Sequence, residues 1–269
     1  MSRSAGKAPI WARAAAAAAV TVLACPSSAP AATPTSASAM PSTTPPATAT
    51  LNTRVTMSDG VSLAATLTGR APLRKRPVLV EFSPYGPGTM TTSDGPAYNY
   101  LLVQIRGTGD SDGVFDALGP RTQFDVAQTL KWACHQPWSA GRLGLNGFSA
   151  SAIAVYNSLH LKLPCVRTAV LRSGTFELYR DLLWPGGISN FIPGVGVVAL
   201  IGAPVAEQGF NRAERAPLSG FDTAIGLIDA GIKGGLEHQM LDQWWRRRAF
   251  RGDATRLPIL MLDSFFDVE

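Results

Sequence analysis

Residues 142–152, which read RLGLNGFSASA, constrain the fold more than any other part of the chain. The segment opens with a short apolar run, passes through a turn that contains Ser149 and continues into an uncharged helical run at 152–161. This pattern predicts a strand, a tight turn and a helix in direct succession. A helix that passes so close to its own strand leaves room only for small side chains at the turn, and Gly147 and Ser151 meet that requirement.

A strand, a turn with a central serine and a helix make up the nucleophile elbow of α/β-hydrolases. The elbow holds its serine in a strained conformation, so that the Oγ atom projects above the sheet as a nucleophile. The usual motif has glycine where Ser151 stands, and isolated matches are often surface turns. The flanking strand and helix favour the elbow, with Ser149 as the catalytic nucleophile. The backbone N–H of Ala150, the next residue, is expected to donate to the oxyanion.

Other apolar runs predict an α/β fold with a doubly wound, mostly parallel sheet. They are short and lack alternation, which is typical of strands buried on both faces. The segment 122–134 has helical spacing, and strands that alternate with helices indicate this architecture. A hairpin is predicted first, at 55–67. The apolar runs lie at 77–82, 100–105, 142–146, 168–172 and 258–263.

Four ordered blocks resemble the cocaine esterase and Xaa-Pro dipeptidyl-peptidase family of serine hydrolases. The longest, WACHQPWSAGRLGLNGFS, ends at Ser149 and is similar to the family's block ahead of the nucleophile. The other three resemble its opening hairpin, its strand ending in Pro-Tyr-Gly and its Arg-Gly-x-Gly-x-Ser-x-Gly turn. These blocks are Val55–Ala64, Pro77–Gly86 and Gln104–Gly113. The resemblance covers residues 51–269 and implies the α/β-hydrolase fold and hydrolysis of an ester or a peptide bond.

A serine nucleophile also needs a base, an acid that orients the base and donors for the oxyanion. In α/β-hydrolases the acid lies after the serine in the chain, just beyond a later strand. Asp267 matches the family's acid by resemblance, and Asp263, at the end of the predicted strand, is the alternative. The resemblance implies that the Tyr85 hydroxyl is the second oxyanion donor; the other interpretation of Tyr85 is a core residue at a strand end.

The base should be a histidine that follows the acid, but the sequence stops at Glu269. His160 lies along the elbow helix, ~16 Å from Ser149 at about 1.5 Å per residue. His135 precedes the elbow strand and should lie at the opposite edge of the sheet, and His238 falls in a predicted cap. We therefore expect a truncated family member, without the terminal strands and the C-terminal β-sandwich domain of longer relatives.

The predicted hydrolase core is interrupted by an insertion. Residues 51–175 form its first part, residues 176–256 break the alternation of strands and helices, and residues 257–269 return to the core. The insertion contains helical patterns at 222–232 and 236–250. A helical cap over the site is predicted, and the resemblance implies the same.

The first 31 residues have the features of an export signal. Basic residues precede an apolar run at 14–24, and Ala29-Pro30-Ala31 is a candidate cleavage site. The alternative is a lipoprotein signal with Cys25 as the attachment site; the apolar run is too short for a confident membrane span. Residues 32–50, uncharged and rich in Pro, Ser, Thr and Ala, predict a disordered linker. We expect a secreted, extracellular protein.

Export makes Cys134 and Cys165, the cysteines beyond the signal, candidates for a disulfide. They flank the elbow unit, where both chain segments should return to the edge of the sheet opposite the active site. A disulfide and two buried free thiols both remain open.

Charge and spacing exclude several other classes of function. The net charge is +5, but from residue 32 onward 21 basic residues stand against 19 acidic ones, so no nucleic-acid partner is indicated. The one basic run, Arg246–Arg248, is interpreted as the solvated face of a helix. No Cys/His/Asp spacing predicts a metal site, and the turn at 106–113 lacks the Gly-Lys-Ser/Thr ending of a phosphate loop. No cofactor is therefore expected.

The sequence predicts an exported serine hydrolase that cleaves an ester or a peptide bond through an acyl-enzyme on Ser149. The substrate would be a small-molecule ester or a short peptide, as for acyl esterases and Xaa-Pro dipeptidyl-peptidases. The alternative is a hydrolase-like fragment or ligand-binding protein with crippled catalysis, because no histidine fits the role of base.

Overall fold

The computed structural model describes residues 47–85, 97–190, 237–252 and 256–263. Its strands are β1 (Thr48–Thr56), β2 (Ser62–Arg70), β3 (Arg76–Ser83), β4 (Asn99–Gln104), β5 (Ser139–Phe148), β6 (Val166–Arg172) and β7 (Ile259–Leu262). Its α-helices are α1 (Pro120–Cys134), α2 (Ala150–Ser158) and α3 (Gln243–Arg246). A π-helical turn (Leu178–Leu183) and a 3₁₀ turn (Pro185–Gly187) follow β6.

The seven strands form one mixed sheet in the order β1-β2-β4-β3-β5-β6-β7. β1 and β2 form an antiparallel hairpin, and β2 pairs antiparallel with β4. From β4 to β7 all neighbours are parallel, which confirms the predicted mostly parallel sheet. The chain order reverses around β3, which lies between β4 and β5. In sheets of this kind ligands bind beyond the carboxyl ends of the strands at such a switch point.

The core lies around β3, β4 and β5, whose apolar runs need cover on both faces. Val78, Val80 and Leu101 are fully buried. Val80 of β3 and Leu101 of β4 are paired directly across the two strands. α1 and α2 supply apolar cover with Leu130 and Val155. The continuous apolar runs were therefore a reliable signal for the central strands.

The first strand begins earlier than the sequence predicted. The hairpin is confirmed, but Thr48, Ala49 and Thr50, placed in the linker 32–50, lie in β1 and pair with residues 68–70 of β2. β-branched threonines suit an edge strand. Composition alone does not show that residues 48–50 pair with another strand, so the sequence assigned them to the linker. The predicted export signal and Cys25 lie outside the described residues.

Of the predicted insertion, residues 176–190, 237–252 and 256 are described, and the helix expected at 222–232 lies outside these residues. The helix predicted at 236–250 is wrong, because the one α-helix in the described part of that range is the four-residue α3. The Asp242 side chain accepts the N–H groups of Trp244 and Trp245, which starts the helix late. Ala249 then bridges to Glu177 in an extended conformation, which ends it.

The sequence left a disulfide and two free thiols open for Cys134 and Cys165, and in the structure the two residues form a disulfide. Cys134 ends α1, Cys165 immediately precedes β6, and their Cα atoms are 6.0 Å apart. The Cys165 carbonyl accepts the N–H of Leu143, near the start of β5. The bond therefore lies at the amino end of the parallel strands, opposite the elbow. Among the described segments no helix is long and apolar enough to cross a membrane.

Candidate active site

The turn between β5 and α2 has the geometry of a nucleophile elbow. Ser149 has φ 52° and ψ −125°, a conformation that costs a non-glycine residue about 1–3 kcal/mol. A Cβ atom on Gly147 would lie 2.7 Å from the backbone N and Cα of Ala152, so only glycine permits this approach of helix and strand. The Ser149 N–H donates to the Arg172 carbonyl of β6 at 2.9 Å, which fixes the strained residue to the sheet.

The two predicted oxyanion donors meet beside Ser149. The N–H of Ala150 donates to the Tyr85 hydroxyl oxygen at 3.2 Å. Tyr85 lies two residues beyond β3, and its backbone N–H donates to the Ser83 hydroxyl at 3.1 Å, which holds the end of the strand in place. Two donors this close together can converge on one oxygen atom placed between them and Ser149.

The predicted acids are only partly described. Asp263 directly follows β7 and is exposed, whereas Asp267 lies outside the described residues, so its assignment stays a prediction. The carboxylate of Asp263 acts on Tyr156 of α2: burial and then this charge raise the pKa of the Tyr156 hydroxyl to about 12.

The described contacts do not bring His135 or His160 to the elbow. His135 follows the end of α1, where its Nδ1 atom lies 2.8 Å from the Lys131 carbonyl oxygen. His160 lies two residues beyond α2, whereas Ser149 precedes that helix, and burial lowers the pKa of His160. The two histidines are therefore at the wrong ends of their helices to take a proton from the serine.

The third histidine belongs to an ordered pair in the insertion. The Nδ1 atom of His238 is hydrogen-bonded to the Asp242 carboxylate, and its ring stacks on Trp244 with centroids 4.9 Å apart. The His238 carbonyl also accepts the indole N–H of Trp245 at 2.6 Å. A histidine oriented by a carboxylate is the arrangement of a general base, but the described contacts of this pair are with the insertion.

Beneath the elbow lies a buried carboxylate that the sequence reasoning missed. Glu81 of β3 accepts hydrogen bonds from the hydroxyls of Tyr100 and Ser151 and from the Asn146 amide. Burial raises the pKa of the Glu81 carboxyl group. Burial, and after it the charge of Glu81, raises the pKa of the Tyr100 hydroxyl. The signal was present: Glu81 interrupts an otherwise apolar strand, where a charge needs partners.

The glycine-rich turn after β4 is held by a buried arginine and two carboxylates. The buried Arg106 guanidinium donates to both Asp125 carboxylate oxygens at 2.5 and 2.6 Å and lies 3.2 Å from an Asp59 oxygen. α1 begins seven residues after Gly113, so no helix N-terminus opens onto the turn. In the described parts of the chain no cluster of three His, Cys, Asp or Glu side chains could hold a metal ion.

The interpretation of the basic run was correct for two residues and wrong for the third. Arg246 and Arg247 are exposed, but Arg248 is buried and donates to the carbonyls of Trp244 and Asp116. Its guanidinium lies 3.6 Å from the centroid of the Trp244 ring. The four-residue helix is too short to carry all three side chains on one solvated face.

A strained serine between a parallel strand and a helix, on a sheet of this order, defines the α/β-hydrolase class. The family model of the X-Pro dipeptidyl-peptidases (S15 family) matches residues 59–269, and the chain belongs to this family.

Relatives of known sequence agree with that assignment over a shorter stretch. The chain is 29% identical over 92 residues to provisionally named serine esterases of Mycobacterium bovis and Mycobacterium tuberculosis. This match covers 34% of the chain and 15% of each relative, so the chain spans a small part of the length of these proteins.

Solved structures show the same fold. A CocE/NonD family hydrolase from Staphylococcus aureus superposes with a TM-score of 0.63 at 23% identity, covering 77% of this chain and 39% of that one. An aminopeptidase from a marine sediment Thaumarchaeota archaeon gives 0.62 at 16% identity, covering 85% and 45%. An α-amino acid ester hydrolase gives 0.59 at 16% identity, covering 80% and 42%.

Proposed function

We propose that this chain carries the acylation site of a serine hydrolase that cleaves ester or peptide bonds. The observation that carries the proposal is the elbow itself: Ser149 is strained, and two oxyanion donors, Tyr85 and Ala150, meet 3.2 Å apart beside it. Membership of the X-Pro dipeptidyl-peptidase family supports a carbonyl substrate. A small-molecule ester or a short peptide would fit this chemistry.

In the proposed reaction the Ser149 Oγ atom attacks the carbonyl carbon while a base takes the hydroxyl proton. The negative oxygen of the tetrahedral intermediate accepts hydrogen bonds from the Ala150 N–H and the Tyr85 hydroxyl. Collapse of the intermediate breaks the ester or amide bond, and the leaving alcohol or amine takes the proton. Water then hydrolyses the acyl group from Ser149. The acid of this site is proposed to be Asp267, with Asp263 as the alternative.

Export is a separate part of the proposal. It is supported by the basic residues ahead of an apolar run at 14–24, by the candidate cleavage site that ends at Ala31 and by the disulfide between Cys134 and Cys165. Disulfides persist in oxidising compartments, which an exported chain reaches. A lipid anchor on Cys25 is the alternative to a freely secreted product.

The nucleophile can be tested with a fluorophosphonate probe, which forms a stable bond with an activated serine. We expect mass spectrometry to find the probe on Ser149, and turnover of p-nitrophenyl acetate to be lost with Ser149→Ala. Ser58→Ala, in an exposed hairpin turn, is the matched control and should keep both signals. A probe on another serine, or turnover that survives Ser149→Ala, would refute the assignment.

The second candidate is a hydrolase-like protein that binds ligands without turning them over. The positions of His135 and His160 favour it, because neither can serve Ser149. A folded wild-type chain that remains unlabelled, but is stabilised thermally by an ester or a short peptide, would support this function over catalysis.

A further inference from the structure

The Glu81 carboxyl group is the one buried acid that lies directly beneath the elbow among the described residues. Glu81 lies on β3 and is 1% exposed. Its neighbours in the strand, Val80 and Phe82, are also fully buried. A carboxylate in such a place costs free energy unless hydrogen bonds and nearby positive charge compensate. Its contacts therefore need a structural or functional reason.

The hydrogen bonds of Glu81 come from three other elements. Oε2 accepts from the Tyr100 hydroxyl of β4 and from the Asn146 amide of β5, the latter at 3.0 Å. Oε1 faces the Ser151 hydroxyl of α2 at 3.4 Å. The Arg172 guanidinium of β6 is the positive charge that acts on this carboxyl group, so Tyr100 and Arg172 are the titratable groups around it.

This cluster connects to Ser149 on both sides. Asn146 and Ser151 flank the elbow turn along the chain, and both are bound to Glu81. Asn146 also accepts a hydrogen bond from the Arg172 side chain at 3.4 Å, while the Arg172 carbonyl accepts the Ser149 N–H. The strained serine is thus held between two strands and a helix whose polar contacts converge on one carboxyl group.

We propose that Glu81 is a positioning residue: its carboxyl group, through Asn146 and Ser151, fixes the elbow so that Ser149 and the Ala150 N–H keep their reactive placement. This inference rests on the proposed acylation of Ser149. It also gives a reason for the serine at position 151, where the usual motif has glycine: its hydroxyl is the contact between α2 and the buried acid.

Glutamine can preserve these contacts and alanine cannot. In Glu81→Gln the amide oxygen can accept from Tyr100 and Asn146, while the amide nitrogen can donate to the Ser151 hydroxyl. In Glu81→Ala the same donors lose their shared acceptor. Leu130→Ala, in the fully buried part of α1, is a control that destabilises the core without touching the cluster.

The test compares these three variants with the wild-type chain by fluorophosphonate labelling and hydrogen exchange. For Glu81→Ala we expect the maximal rate of Ser149 modification to fall about ten- to a hundredfold, with probe affinity unchanged, because small displacements of reacting groups are costly. We expect the Ser149 and Ala150 amides to exchange at least about tenfold faster, as local opening becomes easier. Glu81→Gln should restore both values to within about threefold of wild type.

The outcomes separate this inference from the proposed function. If folded Glu81→Ala loses stability as Leu130→Ala does, but keeps the labelling rate and the Ser149 exchange rate, Glu81 is structural and the inference is wrong. If the wild-type chain is never labelled, the proposed function fails, and the exchange comparison still decides whether Glu81 holds the elbow.

Discussion

Two turns at the carboxyl edge of the sheet follow β4 and β5, the strands on either side of β3, and they are held in opposite ways. The turn after β4 is fixed by charge: Arg106 is buried between the carboxylates of Asp59 and Asp125. The elbow after β5 contains no charged side chain, and its central residue, Ser149, has a strained backbone. Glycines occur in both, so glycine content does not distinguish a turn fixed by ion pairs from one with a strained central residue.

The difference between the turns has a physical reason. A structural turn gains stability when each of its buried polar groups has a partner, as the Arg106 guanidinium has in Asp59 and Asp125. A catalytic turn needs a hydroxyl and an N–H group directed at a substrate, so its rigidity must come from its surroundings. Around the elbow we assign this role to the Arg172 carbonyl, the close approach at Gly147 and the Glu81 cluster. Stability and reactivity should therefore respond separately to changes in the two turns.

The largest effect on stability is expected from Arg106→Met. It leaves Asp125 buried without its partner, which should cost about 3–5 kcal/mol of unfolding free energy, measured by urea denaturation. The double variant Arg106→Met with Asp125→Leu removes both charges and should recover much of the loss. Labelling of Ser149 in the folded fraction should stay unchanged; a parallel loss of labelling would mean that the two turns are coupled.

The next effect concerns the rate alone. Tyr85→Phe removes one oxyanion donor and should lower kcat roughly 10²–10³-fold, or about 3–4 kcal/mol, with little change in thermal stability. Steady-state hydrolysis of p-nitrophenyl acetate and a melting curve give the two quantities. Full activity in a folded Tyr85→Phe protein would show that the second donor is another group.

A smaller effect separates the strain at the elbow from its chemistry. Ser149→Gly and Ser149→Ala should both abolish acylation, but only glycine relieves the positive φ. Ser149→Gly should therefore be about 1 kcal/mol more stable than Ser149→Ala, since the relief of strain exceeds the entropy that glycine adds to the unfolded chain. Equal stability in denaturant titrations would indicate that the elbow stores no backbone strain.

The smallest expected effect is a pH dependence from Glu81. Burial raises its pKa above the ordinary value of 4.5, so the folded chain binds this proton more tightly than the unfolded chain. The corresponding stability is full below 4.5 and is lost as the pH rises through the raised pKa. Glu81→Gln cannot ionise, so its unfolding free energy relative to wild type should increase over that window. A difference that stays constant with pH would contradict the burial argument.

Local patterns carried the predictions that the structure confirms. The elbow and the central strands are local in sequence, whereas the role of Tyr85 as an oxyanion donor was taken from a family motif at a strand end and stays a prediction. The Glu81 cluster joins residues of four strands and a helix, so no single sequence segment predicts it. The helix predicted at 236–250 failed because a side-chain cap at Asp242 and a bridge at Ala249 overrode helical spacing.

The most direct test of the central claim is acid-quenched trapping of an acyl-enzyme. The chain is mixed with p-nitrophenyl acetate, quenched within the first turnover and digested. The mass of the peptide that contains Ser149 is then measured by mass spectrometry. We predict that this peptide carries the mass of one acetyl group, that Tyr85→Phe slows its appearance and that Ser149→Ala never shows it. Ester hydrolysis that proceeds without acetyl on Ser149, or with acetyl on another residue, would contradict the account.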